Sequence, residues 1–501
     1  MNSAPPLGLA FIAAALRDAG HVVTIIDAIG DSPHQINVFK GDLYTNGLNY
    51  DEIFERIPKD VELLGFSLMF TENWMSDRAL LRFLGKKMPG IPFIAGGEHI
   101  SAIPELCMQQ VPALTVCVLG EGEETVTELV AAIGGQKDLS TVSGIVFREG
   151  DALINSPRRN RVKDIGQIPW PAWDLFPLDN YKKYALQWGV TRGYSLPILA
   201  TRGCPYSCTF CSSPQMWGTR YYMRTPMDVA NEMEQFKNEY GVTNFDFYDL
   251  TAIIKRDWII EFSQEIMKRK LNITWQIPGG TRSEAIDAEV ARHLYLSGCR
   301  NITYAPESGS KDMLRIIKKK ISINKMLESM NHSYREGMNI KINIILGFPE
   351  EKHKNFLETI WFLIQCSWAG AHDSVPSIFS PYPGSAMFNM LVEQGKIDIA
   401  TDDYFQGILD TNDFFGKRFY NYHVSGNWLR FYMFLYLVVF FASNYLFRPQ
   451  RIFKSFKNLW TKNYESRGEF ALAEFLNRKE FKLKTTEEEF ARTINAEGAI
   501  S

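Results

Sequence analysis

The sequence predicts an α/β protein in three parts: an N-terminal doubly wound (Rossmann-like) domain, a partial (β/α)6 barrel and a helical C-terminal region. Three observations carry this. Short, almost wholly apolar runs alternate with helical periodicity over residues 9–133, the pattern of parallel strands covered on both faces. The alternation resumes at residue 196, with an apolar run roughly every 30–40 residues. Beyond Ile399 it stops, and the chain becomes helical and rich in aromatic residues.

A length of 501 residues suits two or three domains. Hydrophobic residues make up 46% and charged residues 22%, enough for large cores, and a net charge of −3 gives no reason to expect nucleic acid. Met1-Asn-Ser-Ala-Pro-Pro lacks the basic and apolar segments of a secretory leader. Of seven Cys, Cys107, Cys117, Cys299 and Cys366 are scattered in apolar contexts and read as reduced core thiols. A cytoplasmic location fits them.

The N-terminal domain is expected over residues 1–145. Residues 9–19 form a helix ending at Gly20, and His21–Asp27 reads as a short parallel strand. Strand Leu63–Ser67, helix Asn73–Met88, strand Pro92–Ala95, helix Ala102–Val111, strand Leu114–Leu119 and helix Glu123–Ile133 follow, with Val142–Arg148 as the last edge strand. Ligands in such sheets lie beyond the carboxyl ends of the strands. Gly65 and Ser67, Gly96, Gly97 and His99, and Gly120 and Glu121 fall there. Glycines at those points let a flat ligand approach the backbone. Residues 146–189 read as a linker, since Ile168–Pro177 is too proline-rich for a helix; its Trp170 and Trp173 suit an interface seal or a substrate cover, and the interface is expected.

The barrel is expected over residues 190–395, with strands at Leu196–Thr201, Val242–Asp249, Ile273–Ile277, Asn301–Glu307, Ile340–Leu346 and Ser374–Ser380. Chemistry in βα barrels collects at the carboxyl ends of the strands. The first strand runs into Cys204, Cys208 and Cys211, three thiols in a C-x-x-x-C-x-x-C spacing on one tight loop. Four thiolates would close a zinc site or saturate a cubane, whereas three on a 4Fe–4S cluster leave one iron open. A zinc knuckle short of one ligand is the bland alternative, and no His or fourth Cys lies nearby to complete it. Phe210 would cover the cluster with an apolar ring. Other strand ends bring Asp249, Glu307 with Ser308, and the Gly347-Phe-Pro349-Glu350-Glu351 turn. Carboxylates there can form charge-assisted bonds to amino or ribose donors, or cap the helices that follow.

The cysteine loop, with its aromatic residue before the third Cys, resembles the signature of the radical S-adenosylmethionine (SAM) enzymes. The resemblance covers about residues 190–390. It implies that Cys204, Cys208 and Cys211 hold a 4Fe–4S cluster whose free iron binds SAM, which is cleaved to a 5′-deoxyadenosyl radical. It also implies that Asp249, Glu307, Ser308, Gly347, Pro349 and Glu350 lie around SAM, and that a low-potential flavodoxin- or ferredoxin-type donor supplies the electron.

Pro5-Pro-Leu-Gly8, Gly-Gly-x-His-x-Ser at Gly96–Ser101 and Gly120-Glu-Gly-Glu123 are similar to the cobalamin-binding domain that precedes many radical SAM cores. This implies cobalamin as a third cofactor, near Gly65, Ser67, Gly96, Gly97, His99, Gly120 and Glu121. The Asp-x-His-x-x-Gly motif is missing, so His99 is expected beside the ligand rather than on the cobalt. The family's first strand is also missing: either the start is truncated or the sheet lacks a strand. A vestigial domain without cofactor is the alternative.

The whole most resembles the group of the anaerobic magnesium-protoporphyrin monomethyl ester cyclase and many methyltransferases. A radical enzyme that methylates or cyclises a small, lipophilic substrate is therefore expected. A non-catalytic iron–sulfur carrier is an alternative, but it would have no use for Glu307 or the Gly347–Glu351 turn. A membrane-associated scaffold is another.

The C-terminal region, residues 396–501, carries an unbroken apolar run from Phe431 to Ala442, followed by Arg448, Arg451, Lys454, Lys457 and Lys462. A core helix, a helix in the membrane surface and a short span all fit the run. The basic residues recur every three or four positions, so one basic helical face and peripheral membrane contact through residues 427–462 are expected.

Overall fold

A computed structural model describes residues 4–135, 137–252, 254–282, 284–411, 418–461, 464–466 and 469. Helix α1 (Leu7–Asp18) buries Leu7, Ala10, Phe11, Ala13 and Ala14, the apolar face read from its periodicity. A five-stranded sheet follows. Its strands β1 (Leu64–Ser67), β2 (Phe93–Gly96) and β3 (Leu114–Val118) are parallel. Strands β4 (Ile145–Glu149) and β5 (Ala152–Asn155) extend it as an antiparallel hairpin, in the order β1-β2-β3-β4-β5. The edge strand is therefore β5 rather than the 142–148 segment, and helix α2 (Glu123–Ile133) packs against α1.

Two further expectations need correction. His21–Asp27 forms no strand, and Val22 is fully exposed. The sheet ends at β1, so the segment has no neighbour with which to share a ladder. Asp27 instead accepts hydrogen bonds from the Gly30 N–H (3.0 Å) and the Tyr181 hydroxyl (2.6 Å). The helix expected at 102–111 is split into Glu98–Ala102 and Pro104–Gln110, because Pro104 holds Ile103 out of the helical region at φ −143°. A hairpin pairing Ile36–Lys40 with Leu43–Asn46 was not visible in the sequence pattern.

The linker is packed rather than loose. Trp173 is wholly buried, the Ala172 N–H donates to Ala10 O, and Trp170 Nε1 donates to Asp228. Six parallel strands then form one open sheet in strict sequence order. They are β6 (Ser195–Ile198), β7 (Asn244–Phe247), β8 (Thr274–Thr281), β9 (Cys299–Glu307), β10 (Asn339–Leu346) and β11 (Asp373–Ile378). Thr225, Asp287, Ser310 and Ser322 cap the intervening helices by accepting backbone N–H bonds. Helices α3 (Ile323–Arg335) and α4 (His353–Ala369) cover the outside near β10 and β11. One core joins the N-terminal sheet to the barrel's Phe348, Phe379 and Met387 and to Tyr404 and Phe405 of α5 (Asp402–Thr411).

Helix α6 (Gly426–Phe447) lies along α4 and buries Leu429, Tyr432, Met433, Tyr436 and Phe440. Ser443 Oγ donates to Ser367 Oγ, and Asn444 to Ala371 O at 2.6 Å. One face of the helix is thus core and the other is exposed. Helix α7 (Gln450–Thr461) follows, but the expected basic face does not form. Arg448 donates to Ser367 O and Trp368 O, and Arg451 to Gly370 O and Ala371 O. Orphan carbonyls at the carboxyl end of α4 attract those two cations. Lys454 pairs with Glu465 at 2.5 Å.

Candidate active site

The cysteine loop lies between the carboxyl ends of the two sheets. Residues 317–318 brace it: the Thr209 N–H donates to Ile317 O (3.0 Å), and Cys208 Sγ lies 3.9 Å from Lys318 O. Met387 N donates to Thr209 O on the other side. All three thiols are partly shielded, and burial pushes each pKa up. Lys319 and Arg282 act against that rise at Cys204 and Cys208. Among the described residues no three His, Cys, Asp or Glu side chains converge on one ion. Three thiolates that each take a separate iron of a cubane have no need to converge, so the donor set fits a cluster better than a single metal. Phe210 meets Phe348 with ring centroids 5.7 Å apart, joining the loop to the Gly347–Pro349 turn.

Glu307 closes β9 in a left-handed conformation, φ 66°, which is uncommon for a residue with a side chain. Its Oε1 accepts a hydrogen bond from Lys319 Nζ at 2.9 Å, with both side chains nearly buried. Burial would strip charge from Lys319, but Glu307 outweighs it and holds the ammonium protonated. Arg282 stacks over the Tyr206 ring inside the loop, 3.4 Å from its centroid. The Glu307–Lys319 pair and Arg282, itself paired with Glu284 at 3.1 Å, thus stand beside the thiols, polar groups that suit the amino and carboxylate groups of SAM. The sequence reading missed Lys319, which looks like part of a solvated Lys318-Lys319-Lys320 run. Only its place one strand end from the cysteines separates it from such a run.

Other expected residues are turned to structural contacts. Asp249 is wholly buried, bonded to Thr201 Oγ1 and the Ala200 N–H, with its pKa raised by burial to about 6. It fixes the strand that delivers the cysteines. Ser308 shares hydrogen bonds with Thr359 Oγ1 and the Ser310 N–H. Gly347 packs under Leu429 of α6, and Pro349 O accepts the Tyr422 N–H. Glu350 faces outward to His423 at 3.5 Å.

In the N-terminal domain the strand ends meet the cysteine loop directly. Glu98 accepts a hydrogen bond from Ser212, next to Cys211. Glu121 pairs with Arg161 at 2.9 Å and Arg202 at 3.3 Å, so it latches linker and barrel rather than facing open space. Gly120 approaches Met216 O. His99 is 1% exposed; its Nδ1 bonds Thr71 Oγ1 at 3.0 Å and its ring packs on Trp74. Burial lowers its pKa to about 3, so the ring is neutral. His99 Nε2 and Glu72 Oε2 are buried without a hydrogen-bond partner. Gly65 and Ser67 are exposed, and so are Met69 and Phe70 beyond β1. Orphan polar atoms beside exposed apolar side chains suit a large ligand bearing amide groups, as the corrin of cobalamin does.

One core joins the N-terminal α/β domain to a partial barrel whose first strand runs into a three-cysteine loop. Residues 198–363 match the Radical SAM superfamily model, and residues 2–130 match the B12 binding domain. An uncharacterized methyltransferase of Pyrococcus horikoshii is 28% identical over 78% of this chain and 79% of its own. Cytidylyl-2-hydroxyethylphosphonate methyltransferase of Streptomyces wedmorensis is 27% identical over 81% and 82%. The anaerobic magnesium-protoporphyrin IX monomethyl ester cyclase of Cereibacter sphaeroides is 24% identical over 79% and 62%. Among solved structures, the radical SAM methyltransferase TsrM of Kitasatospora setae, with cobalamin and a 4Fe–4S cluster bound, superposes with a TM-score of 0.64. It shares 17% identity over 78% of this chain and 75% of that one. The chain is a radical SAM enzyme with an N-terminal B12-binding domain.

Proposed function

We propose that the protein methylates an unactivated carbon of a small, lipophilic substrate. When bound, the cluster and SAM supply a 5′-deoxyadenosyl radical, and cobalamin supplies a methyl carrier. The chain's own residues hold these groups in register and keep water out. Cys204, Cys208 and Cys211 hold the cluster, and Glu307 and Lys319 orient SAM beside it. His99, Glu72 and the strand ends at Gly65, Ser67 and Gly96 line the corrin space. The observation that carries this reading is the Glu98–Ser212 contact, which joins the Gly-Gly-Glu-His loop to the cysteine loop. It supports two cofactors acting on one substrate between the sheets.

The relatives named methyltransferases favour methyl transfer, and the cyclase keeps ring closure as the second reading. A flavodoxin- or ferredoxin-type donor completes the reaction, and contact with a membrane through residues 427–462 would suit a lipophilic substrate. Anaerobic reconstitution tests the core of the proposal. About four iron per chain and 5′-deoxyadenosine from SAM with dithionite are expected, both lost on Cys204→Ala, Cys208→Ala or Cys211→Ala with the fold retained. Stoichiometric zinc without iron uptake would sink it. Label from methyl-labelled SAM appearing on cobalamin separates methyl transfer from ring closure.

A further inference from the structure

We infer that the outer face formed by α4, α6 and α7 docks on an anionic lipid bilayer. This deepens the membrane contact proposed above but does not depend on the radical chemistry. The outward stripe of α6 is Trp428, Phe431, Phe434, Val438, Ala442 and Leu446, recurring every three or four residues with no polar member. Trp428, Phe434 and Leu446 are 50%, 60% and 78% exposed. Soluble surfaces rarely gather so much apolar area.

The neighbouring helices continue the face. Trp361 and Trp368 of α4 are 61% and 68% exposed, and the Trp368 ring meets Phe447 at the end of α6. A groove of about 620 Å³ between α3 and α4 is walled by Leu327, Trp361, Trp368 and Phe447, with both Glu328 and Arg335 on its polar side. On α7, Ser455 and Asn458 are held inward by Glu469. That turns Phe453, Phe456 and Trp460 outward, and Lys457 shares their face.

Charge selects a lipid surface. Between Asp413 and Glu465 the sequence has no acidic residue and eight Lys or Arg, in a chain whose net charge is −3. Arg418, Arg448, Arg451 and Lys454 are engaged internally, so the apolar and aromatic side chains supply most of the attachment, with the exposed Lys457 setting the preference for anionic lipid. Because Ser443 and Asn444 tie α6 to α4, the helix lies on the surface rather than crossing.

Flotation of the full chain with phosphatidylcholine vesicles, and with equal parts phosphatidylcholine and phosphatidylglycerol, tests this. Partition onto the anionic vesicles is expected, falling only partly at high salt. The exposed triple variant Phe453→Ser, Phe456→Ser and Trp460→Ser should weaken it about tenfold or more, and so should the pair Trp361→Ser and Trp368→Ser. Both variants should keep wild-type SAM cleavage with dithionite, which separates failure here from failure of the radical reading. Protein that floats with neither vesicle overturns the inference. So does a stable dimer in sedimentation that the same substitutions dissolve, or flotation seen only after residues 470–501 are removed.

Discussion

Glu123 Oε1 at the start of α2 lies 2.6 Å from the guanidinium of Arg202, two residues before Cys204, and both side chains are almost wholly buried. Glu121 reaches the same guanidinium from the preceding turn. Burial alone would raise the Glu123 carboxyl pKa, but Arg202 outweighs it and holds the group below its usual range. The B12-binding domain and the cysteine loop are thus fastened by charges that neither can leave unpaired.

Arg202→Met should therefore be severe. It strands the buried Glu123 carboxylate, while Glu121 keeps Arg161, and breaking a buried pair typically costs about 3–5 kcal/mol. Glu123→Gln should cost less, because Glu121 still compensates Arg202. Chemical unfolding of the apo proteins measures both; equal and small effects would show that solvent already screens the clamp.

Gly96 and Gly97 separate two roles that look identical in the sequence. A Cβ on Gly97 would meet Leu68 O at 2.4 Å, and its φ is +121°, so Gly97→Val should damage the domain itself. At Gly96 the nearest protein atom to a Cβ is Val118 Cβ at 3.7 Å. Gly96→Val should fold normally, keep the iron–sulfur spectrum and lose the cobalamin absorption. Unchanged cobalamin content would remove Gly96 from the corrin space.

How much of this was legible follows the physics of each element. The barrel strands and the cysteines announce themselves because parallel strands are apolar runs and three thiols crowd one loop. An acid or hydroxyl at a strand end, such as Asp249 or Ser308, looks the same in sequence whether it faces a ligand or a buried neighbour such as Thr201. Glu121, Glu123 and Arg202 lie some 80 positions apart in sequence, and no periodicity records such a pair. His21–Asp27 has the composition of a strand, but strand formation depends on a neighbour that local sequence does not specify.

Lys319 and Glu307 make a second, smaller test. Lys319→Met leaves the Glu307 carboxylate nearly buried and unpaired at a strained backbone position, and a loss of roughly 3 kcal/mol is expected. Adding Glu307→Gln should recover most of it. Both variants should retain the three-cysteine cluster and bind SAM more weakly, read by the change SAM causes in the cluster's electron paramagnetic resonance spectrum. Full SAM response in Lys319→Met would take this lysine out of the site.

Glu351 gives a pH prediction. Its carboxyl is fully buried and accepts the Gly347 N–H (2.6 Å) and the Phe348 N–H (3.3 Å), while Oε1 has no hydrogen-bond partner. Burial raises its pKa from 4.5 to about 8, and the two N–H donors only partly oppose that. At pH 6 the folded protein therefore holds a proton on Glu351 that the unfolded chain has released. Folding takes up this proton between about pH 4.5 and 8, so the group's contribution is complete below pH 4.5 and is lost as pH rises to 8. Wild-type apo protein should lose stability across that window relative to Glu351→Gln, in which nothing titrates. Urea unfolding of both at several pH values gives the comparison. Parallel profiles would mean that Glu351 ionises normally and that water reaches its second oxygen. A converging pair, with the Gln variant gaining steadily toward pH 8, would place a neutral acid under the Gly347–Pro349 turn, where a fixed charge would otherwise lie close beneath the cofactor site.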